Sequence, residues 1–152
     1  MQNPEDVAVK ALQSLYLLAG DQNFRLLHAK GADLIELAQH RADEFPDVKD
    51  HFSAQDSRGH TSTVSYDVTD RGAHRDEERI RFGRHAVTAL ETEWARAGYD
   101  RIIISAGPKM LGVLRDLLPK ALAGHVAAQL HKDLINTPLH ELARHFEGVP
   151  GV

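Results

Sequence analysis

Residues 100–118 read Asp-Arg-Ile-Ile-Ile-Ser-Ala-Gly-Pro-Lys-Met-Leu-Gly-Val-Leu-Arg-Asp-Leu-Leu, and this stretch decides the fold. Ile102, Ile103 and Ile104 make an unbroken β-branched run, the pattern of an inner strand of a parallel sheet. Gly107 and Pro108 follow, a flexible residue and one whose fixed φ suits the first helical position. Leu111, Leu114 and Leu118 then recur at helical spacing until Pro119 stops the helix. A strand passing through a tight turn into a helix is the unit of α/β proteins, which place their working groups at such turns. This turn carries no dinucleotide-binding glycine fingerprint, no phosphate-loop Gly-Lys-Ser/Thr and no nucleophile flanked by glycines.

Working upstream, Trp94, Leu90, Val87, Gly83 and Ile80 recur at spacings of three and four, with Ala97 at the far end. They mark one stripe of an amphipathic helix from about His74 to Ala97, with Gly98 suited to its cap. Before it, residues 43–72 lose all periodicity, leaving only 63–66 as a short strand, so the segment reads as a long loop. The apolar runs 15–19 and 24–29 are separated by Gly20-Asp21-Gln22-Asn23, which predicts a hairpin. A third run at 34–39 extends it to a meander. Downstream, Val126, Ala128 and Leu130 alternate as in a strand, and Thr137-Pro138 introduces a final helix bearing Leu139, Leu142, Ala143 and Phe146 on one face. The order β-β-β-α-β-α-β-α predicts an α/β fold, a mixed five-stranded sheet with helices packed on it.

The 152 residues suit one domain spanning 1–152, and a 42% hydrophobic content supplies an ordinary core. The net charge of −4 lies wholly before Asp67: residues 1–66 hold six Lys/Arg against ten Asp/Glu, and the remainder twelve of each. No basic stripe marks a protein that grips nucleic acid through its phosphates. Without cysteine there is no disulfide framework or thiolate chemistry. The acidic start and the absence of a long apolar run predict a cytoplasmic protein with no membrane span.

Three segments carry a family resemblance: Glu78-Arg79-Ile80-Arg81-Phe82, Tyr99-Asp100-Arg101 through Ala106-Gly107-Pro108-Lys109-Met110-Leu111-Gly112, and Leu130-His131-Lys132-Asp133-Leu134. They resemble the bacterial host-attachment proteins, described as required for attachment to host cells. That family is similar to the middle domain of archaeal and eukaryotic peptide-chain release factors, and the likeness implies a ribonuclease-H-like sheet. Where the family commonly has Ala-Asp after the first strand, Gly20-Asp21 stands here. The Gly-Gly-Gln tripeptide with which release factors promote peptidyl-tRNA hydrolysis is absent.

Two-metal nuclease chemistry needs carboxylates from the first strand, the helix and the fourth strand. Asp21 and Glu77 or Glu78 fill two of those places, but 101–106 offers no acid, and Asp21 reads as an ordinary turn residue. His140 and His145 look like a zinc-protease helix, yet a spacing of five turns them roughly 140° apart, so neither metal nor other cofactor is expected. Ser105 lacks a nucleophile-elbow turn and reads as a serine bonded to nearby backbone. The charges from Asp70 to Arg84, Arg79 among them, read as the wet face of the long helix.

What remains is an anion or partner contact. Lys109 falls in the first turn of a helix whose free N–H groups favour an anion, with Gly107 before it and Lys132 as a second cation. Arg58 and His60, in the loop, are the better protein-contact candidates because loop tips reshape on binding. The sequence therefore predicts a non-catalytic interaction module of the host-attachment type with a protein partner. The alternatives are a translation-associated or RNA-contacting module, with ribosome or RNA as partner, and a small hydrolase acting on an anionic substrate at Lys109.

Overall fold

The computed structural model describes residues 12–31, 33–48 and 68–147, with side chains from residue 71 onward in the last stretch. Its elements are β1 (Gln13–Ala19), β2 (Asn23–Lys30), β3 (Asp33–Arg41), a 3-10 turn (Ala42–Glu44), α1 (Val68–Arg96), β4 (Arg101–Ala106), α2 (Pro108–Leu117), the four-residue α3 (Lys120–Ala123), β5 (Val126–Leu130) and α4 (Leu139–Phe146). The sheet order is β3-β2-β1-β4-β5. On one side β1 pairs antiparallel with β2, placing Leu17 opposite Leu26; on the other it pairs parallel with β4, placing Leu17 opposite Ile104. β5 extends the parallel half. The chain is therefore an α/β protein with a mixed five-stranded sheet and helices on both faces.

Alternation along β1 explains its continuous apolar run, because both faces of the strand are covered. Leu15, Leu17 and Ala19 point with Ile102 and Ile104 into a core closed by Phe82, Ala86 and Leu90 of α1 and Met110, Leu111 and Leu114 of α2. Tyr16 and Leu18 point with Ile103 the other way, against Leu134, Ile135 and the Leu142 and Phe146 side chains of α4. Gly83 lies where α1 meets α2, and a Cβ there would stand 2.7 Å from Val113 Cγ1. Close helix approach, not turn geometry, is what this glycine permits.

Three expectations change. α1 begins at Val68 rather than His74, because Gly72, exposed and with nothing within 4 Å of a Cβ position, costs only about 1 kcal/mol in the second turn. The segment read as loop from residue 43 is pinned at its start: the Ala42 N–H donates to Gln22 O at 2.8 Å, Phe45 stacks on His85 at 4.0 Å, and His85 Nε2 lies 2.7 Å from Asp47 Oδ1. A helical turn at 46–48 follows. The strand expected at 63–66, with Arg58 and His60, lies outside the described residues. The short α3 was not foreseen, since four residues are too few to show a period.

The segment joining β5 to α4 has little regular structure and is held by polar contacts. Ser105, fully buried, donates from Oγ to Lys132 O at 2.7 Å, so the expectation of a backbone-bonded serine holds. Arg25, set between the buried Phe24 and Leu26 of β2, is 5% exposed. Its Nη1 donates to Ile135 O at 3.1 Å and Thr137 O at 2.7 Å, while its Nε donates to Glu36 Oε1 at 2.6 Å.

Candidate functional site: a crevice beyond β1 and β4

The parallel strands β1 and β4 both end at the same edge of the sheet, and their continuations diverge. β1 turns back into β2 through Gly20, Asp21 and Gln22, while β4 runs through Gly107 into α2. Divergence of this kind opens a crevice outside the carboxyl ends of the strands. Among the described residues it holds clefts of 510 and 720 Å³, which share Asp21, Gln22 and Lys109 as a common wall. The first lies toward α1 and adds Arg75, Asp76, Glu78 and Arg79; the second lies toward the β5–α4 segment and adds Gly107, Asp133 and Asn136.

Arg79 is the post of the first cleft. It is 7% exposed, against the expectation that it belonged to the wet face of the helix. The reason is its partner: Nε and Nη2 each donate to one oxygen of Asp21 at 3.0 Å, and Nη1 donates to Asp76 Oδ1 at 2.8 Å. This forked pairing fixes the β1–β2 turn on α1. The hydrogen bonds that Arg79 donates to Asp21 are the leading reason its guanidinium is held still more firmly protonated than usual. Asp21 thus uses both carboxylate oxygens on Arg79 and is more than an ordinary turn residue. Among the described residues no group of three or more His, Asp or Glu is placed to hold a metal ion.

Glu78 is the unusual group. Its Oε1 is closed to solvent and has no hydrogen-bond partner among the described residues. Burial pushes its carboxyl above the ordinary range, opposed by the positive charges of His74, Arg75 and Arg79 and reinforced by Asp21. An acid raised in this way holds its proton in the folded state at pH values where the unfolded chain has released it. Its contribution to stability therefore falls as pH rises from the ordinary glutamate value through the folded one. Glu78→Gln is expected to gain stability relative to the native chain at neutral pH and to lose that advantage near ~pH 4, as thermal melts at the two pH values would record.

Of the residues expected from sequence, Gly107 and Lys109 line the crevice, and the Lys109 side chain is exposed at the second position of α2. The extended Gly107 precedes Pro108 as the cap residue, without a side-chain cap bond. Lys132 is exposed one residue before Asp133 and lines neither cleft. Arg25, Glu78 and Arg79 were not anticipated in their actual roles. Two signals existed, an arginine set between Phe24 and Leu26 in an apolar strand, and Asp76 three residues before Arg79 on one helix face.

Residues 14–146 match the model of bacterial archaeo-eukaryotic release factor family 12. The chain belongs to this family. The match spans all five strands, α1 and α4, and it agrees with the release-factor part of the resemblance seen in sequence. Two solved structures are similar at a low level: the Aquifex aeolicus PPX-GPPA enzyme, 14% identical, and the type II variant of the Aquifex aeolicus Ppx/GppA phosphatase, 12% identical. Each has a TM-score of 0.35, covers 78% of the family-12 chain and is itself covered over 35% of its length. No match to a curated protein was found. Among the described residues of the family-12 chain, no helix is long and apolar enough to cross a membrane.

Proposed function

We propose that this family-12 protein is a translation-associated module that contacts the ribosome or its RNA through the crevice beyond β1 and β4. The family match over residues 14–146 carries the reading. It favours the translation-associated alternative over attachment to host cells, which no described residue supports, and over hydrolysis of an anionic substrate. The sheet order β3-β2-β1-β4-β5, with β2 antiparallel beside the parallel trio, supports a ribonuclease-H-like reading of the domain. A ribosomal role places the protein in the cytoplasm. The missing Gly-Gly-Gln tripeptide separates it from peptide release by the release-factor route.

The crevice suits a polar contact better than an electrostatic clamp. Arg79 is neutralised by Asp21 and Asp76, while Arg75 and Lys109 make no ion pair among the described residues. Two available cations predict a shallow salt dependence, with log K falling by about 0.7 per phosphate contacted for each decade of salt. Purified protein is expected to co-sediment with bacterial ribosomes at low salt and to be released in part, not wholly, as salt rises. Absence of the folded protein from every ribosomal fraction at low salt would overturn the proposal.

A further inference from the structure

The 720 Å³ cleft brings together Lys109 of α2 and Asp133 of the β5–α4 segment, both exposed. Neither forms an ion pair among the described residues, with each other or with any third group. Asp133 is fixed by one oxygen: the Ile135 N–H donates to its Oδ1 at 3.2 Å, which leaves Oδ2 and a second lone pair of Oδ1 to accept. The other carboxylate of the lining, Asp21, has both oxygens on Arg79 and is already neutralised. What the cleft presents is therefore one cation and one anion. Gln22, Asn23 and Asn136 complete its polar lining, and their carboxamides make no hydrogen bond among the described residues. Pro108 and Ile135 add apolar surface, without an aromatic ring. The volume lies within the roughly 300–1,000 Å³ of small-molecule sites.

A simple anion suits Lys109 and is repelled by Asp133, and a simple cation does the reverse. A neutral ligand with an acceptor edge and a donor edge suits both. Guanine carries these edges in pairs: O6 and N7 are the acceptors to which lysine commonly donates, and N1–H with the N2 amino group makes two adjacent donors for a carboxylate. Adenine, cytosine and uracil each lack one of the two pairs. Guanine's donors are free only in an unpaired base, the form in which RNA is read along its Watson–Crick edge. We propose that the 720 Å³ cleft takes one unpaired guanine base, with Lys109 donating to its O6 and N7 edge and Asp133 accepting from its N1–H and N2 edge. Without an aromatic platform, the base is held by its edges. The inference rests on the crevice being the working face proposed above, and it adds the ligand class. An RNA strand and a free guanine nucleotide share this chemistry. With Lys109 on the base, Arg75 is the cation left for phosphate, and the salt dependence stays shallow.

Calorimetry on the full chain and two variants tests this assignment, with short uridine strands carrying one central guanine, inosine or adenine base, and with GMP. Inosine keeps O6, N7 and N1–H and lacks only the N2 amino group. The native chain is expected to prefer guanine to inosine by about tenfold, the worth of one hydrogen bond to a charged group, and to bind adenine more weakly than either. Asp133→Asn keeps an oxygen for the Ile135 N–H but puts a donor in place of the free acceptor, and should erase the advantage of guanine over inosine. Lys109→Ala should weaken guanine and inosine alike, by about tenfold, and leave that advantage intact. If Asp133→Asn fails to fold, Lys109→Ala and the native guanine–inosine difference still decide. A strand bound more tightly than GMP identifies RNA as the source, and GMP bound as tightly as the strand identifies free nucleotide. Equal affinity for guanine and adenine, a guanine advantage over inosine that survives Asp133→Asn, or no binding at all would overturn the assignment. Ribosome co-sedimentation that persists alongside any of those three results leaves the translation-associated reading standing, so the two fail separately.

Discussion

Replacing Arg25 with Ala is expected to destabilise the protein by about 3 kcal/mol, the cost of breaking a buried charged group out of its hydrogen bonds. Three bonds disappear at once, to Glu36 Oε1, Ile135 O and Thr137 O. Glu36 retains partial access to water, its side chain being 31% exposed, so the figure stays at the lower end for a broken buried pair. The Ile135 carbonyl belongs to a buried residue and loses its donor inside the fold. Arg25→Met preserves the apolar stem, and its difference from Arg25→Ala reports packing alone. Urea unfolding with an unchanged slope should give a lower midpoint, and Tm should fall by roughly 6–12 °C for a chain of this length. A midpoint within error of the native one would show that the β5–α4 segment is held some other way.

The second large effect is expected at Gly83. A Leu there would drive its Cβ to 2.7 Å from Val113 Cγ1 and 3.4 Å from Leu117 Cδ1, and neither neighbour lies at the free end of a long flexible chain. Overpacking of a fitted core costs about 1–3 kcal/mol and sometimes more. Against this stands the better helix propensity of any residue that replaces glycine, up to ~1 kcal/mol. Gly83→Leu should therefore lose about 2 kcal/mol net. Gly83→Ala provides the sharper comparison: destabilising alone, it should become neutral or stabilising in a Val113→Ala background, because the clashing methyl is then gone while the propensity gain remains. Chemical denaturation of the four proteins of that cycle would decide, and additivity of the two substitutions would rule out the contact as the cause.

The architecture was legible in sequence wherever one physical signal dominated. The Ile102–Ile104 run, the Gly107-Pro108 turn and the Gly20–Asn23 hairpin each fixed an element that the structure retains. Helical stripes were harder. The stripe Ile80, Gly83, Val87, Leu90, Trp94 and Ala97 found the buried Val87 and Leu90 and the Gly83 contact with α2, but missed Phe82 and Ala86, which are fully buried one row to the side. Ala86 carries almost no hydrophobic signal even where packing requires it, and Phe82 falls beside the three-and-four spacing of the stripe.

The candidate site was half legible, for a different reason. Gly107 and Lys109 follow from turn chemistry, which is local. Arg79 is paired with a residue 58 positions away, and Arg25 with carbonyls 110 and 112 positions away. A charged residue in a polar helical stretch reads as solvated until its distant partner is known. Glu78 is harder still, because what distinguishes it is the burial of an acceptor oxygen without a partner among the described residues.

The three bonds of Arg25 also bear on how this fold can change over generations. At Ile135 and Thr137 the arginine grips main-chain carbonyls, which every residue type presents alike. At these two points the rim of the larger cleft is held through its main chain, while the Asp133 carboxylate, accepting from the Ile135 N–H at 3.2 Å, and the buried Ile135 side chain fix it through their identity. Asn136, exposed between those two carbonyls and facing the 720 Å³ cleft, can be exchanged without loosening the anchor on either side. Selection on what position 136 recognises is thus uncoupled from selection on folding, and related chains can diverge in specificity at this position while retaining the same scaffold.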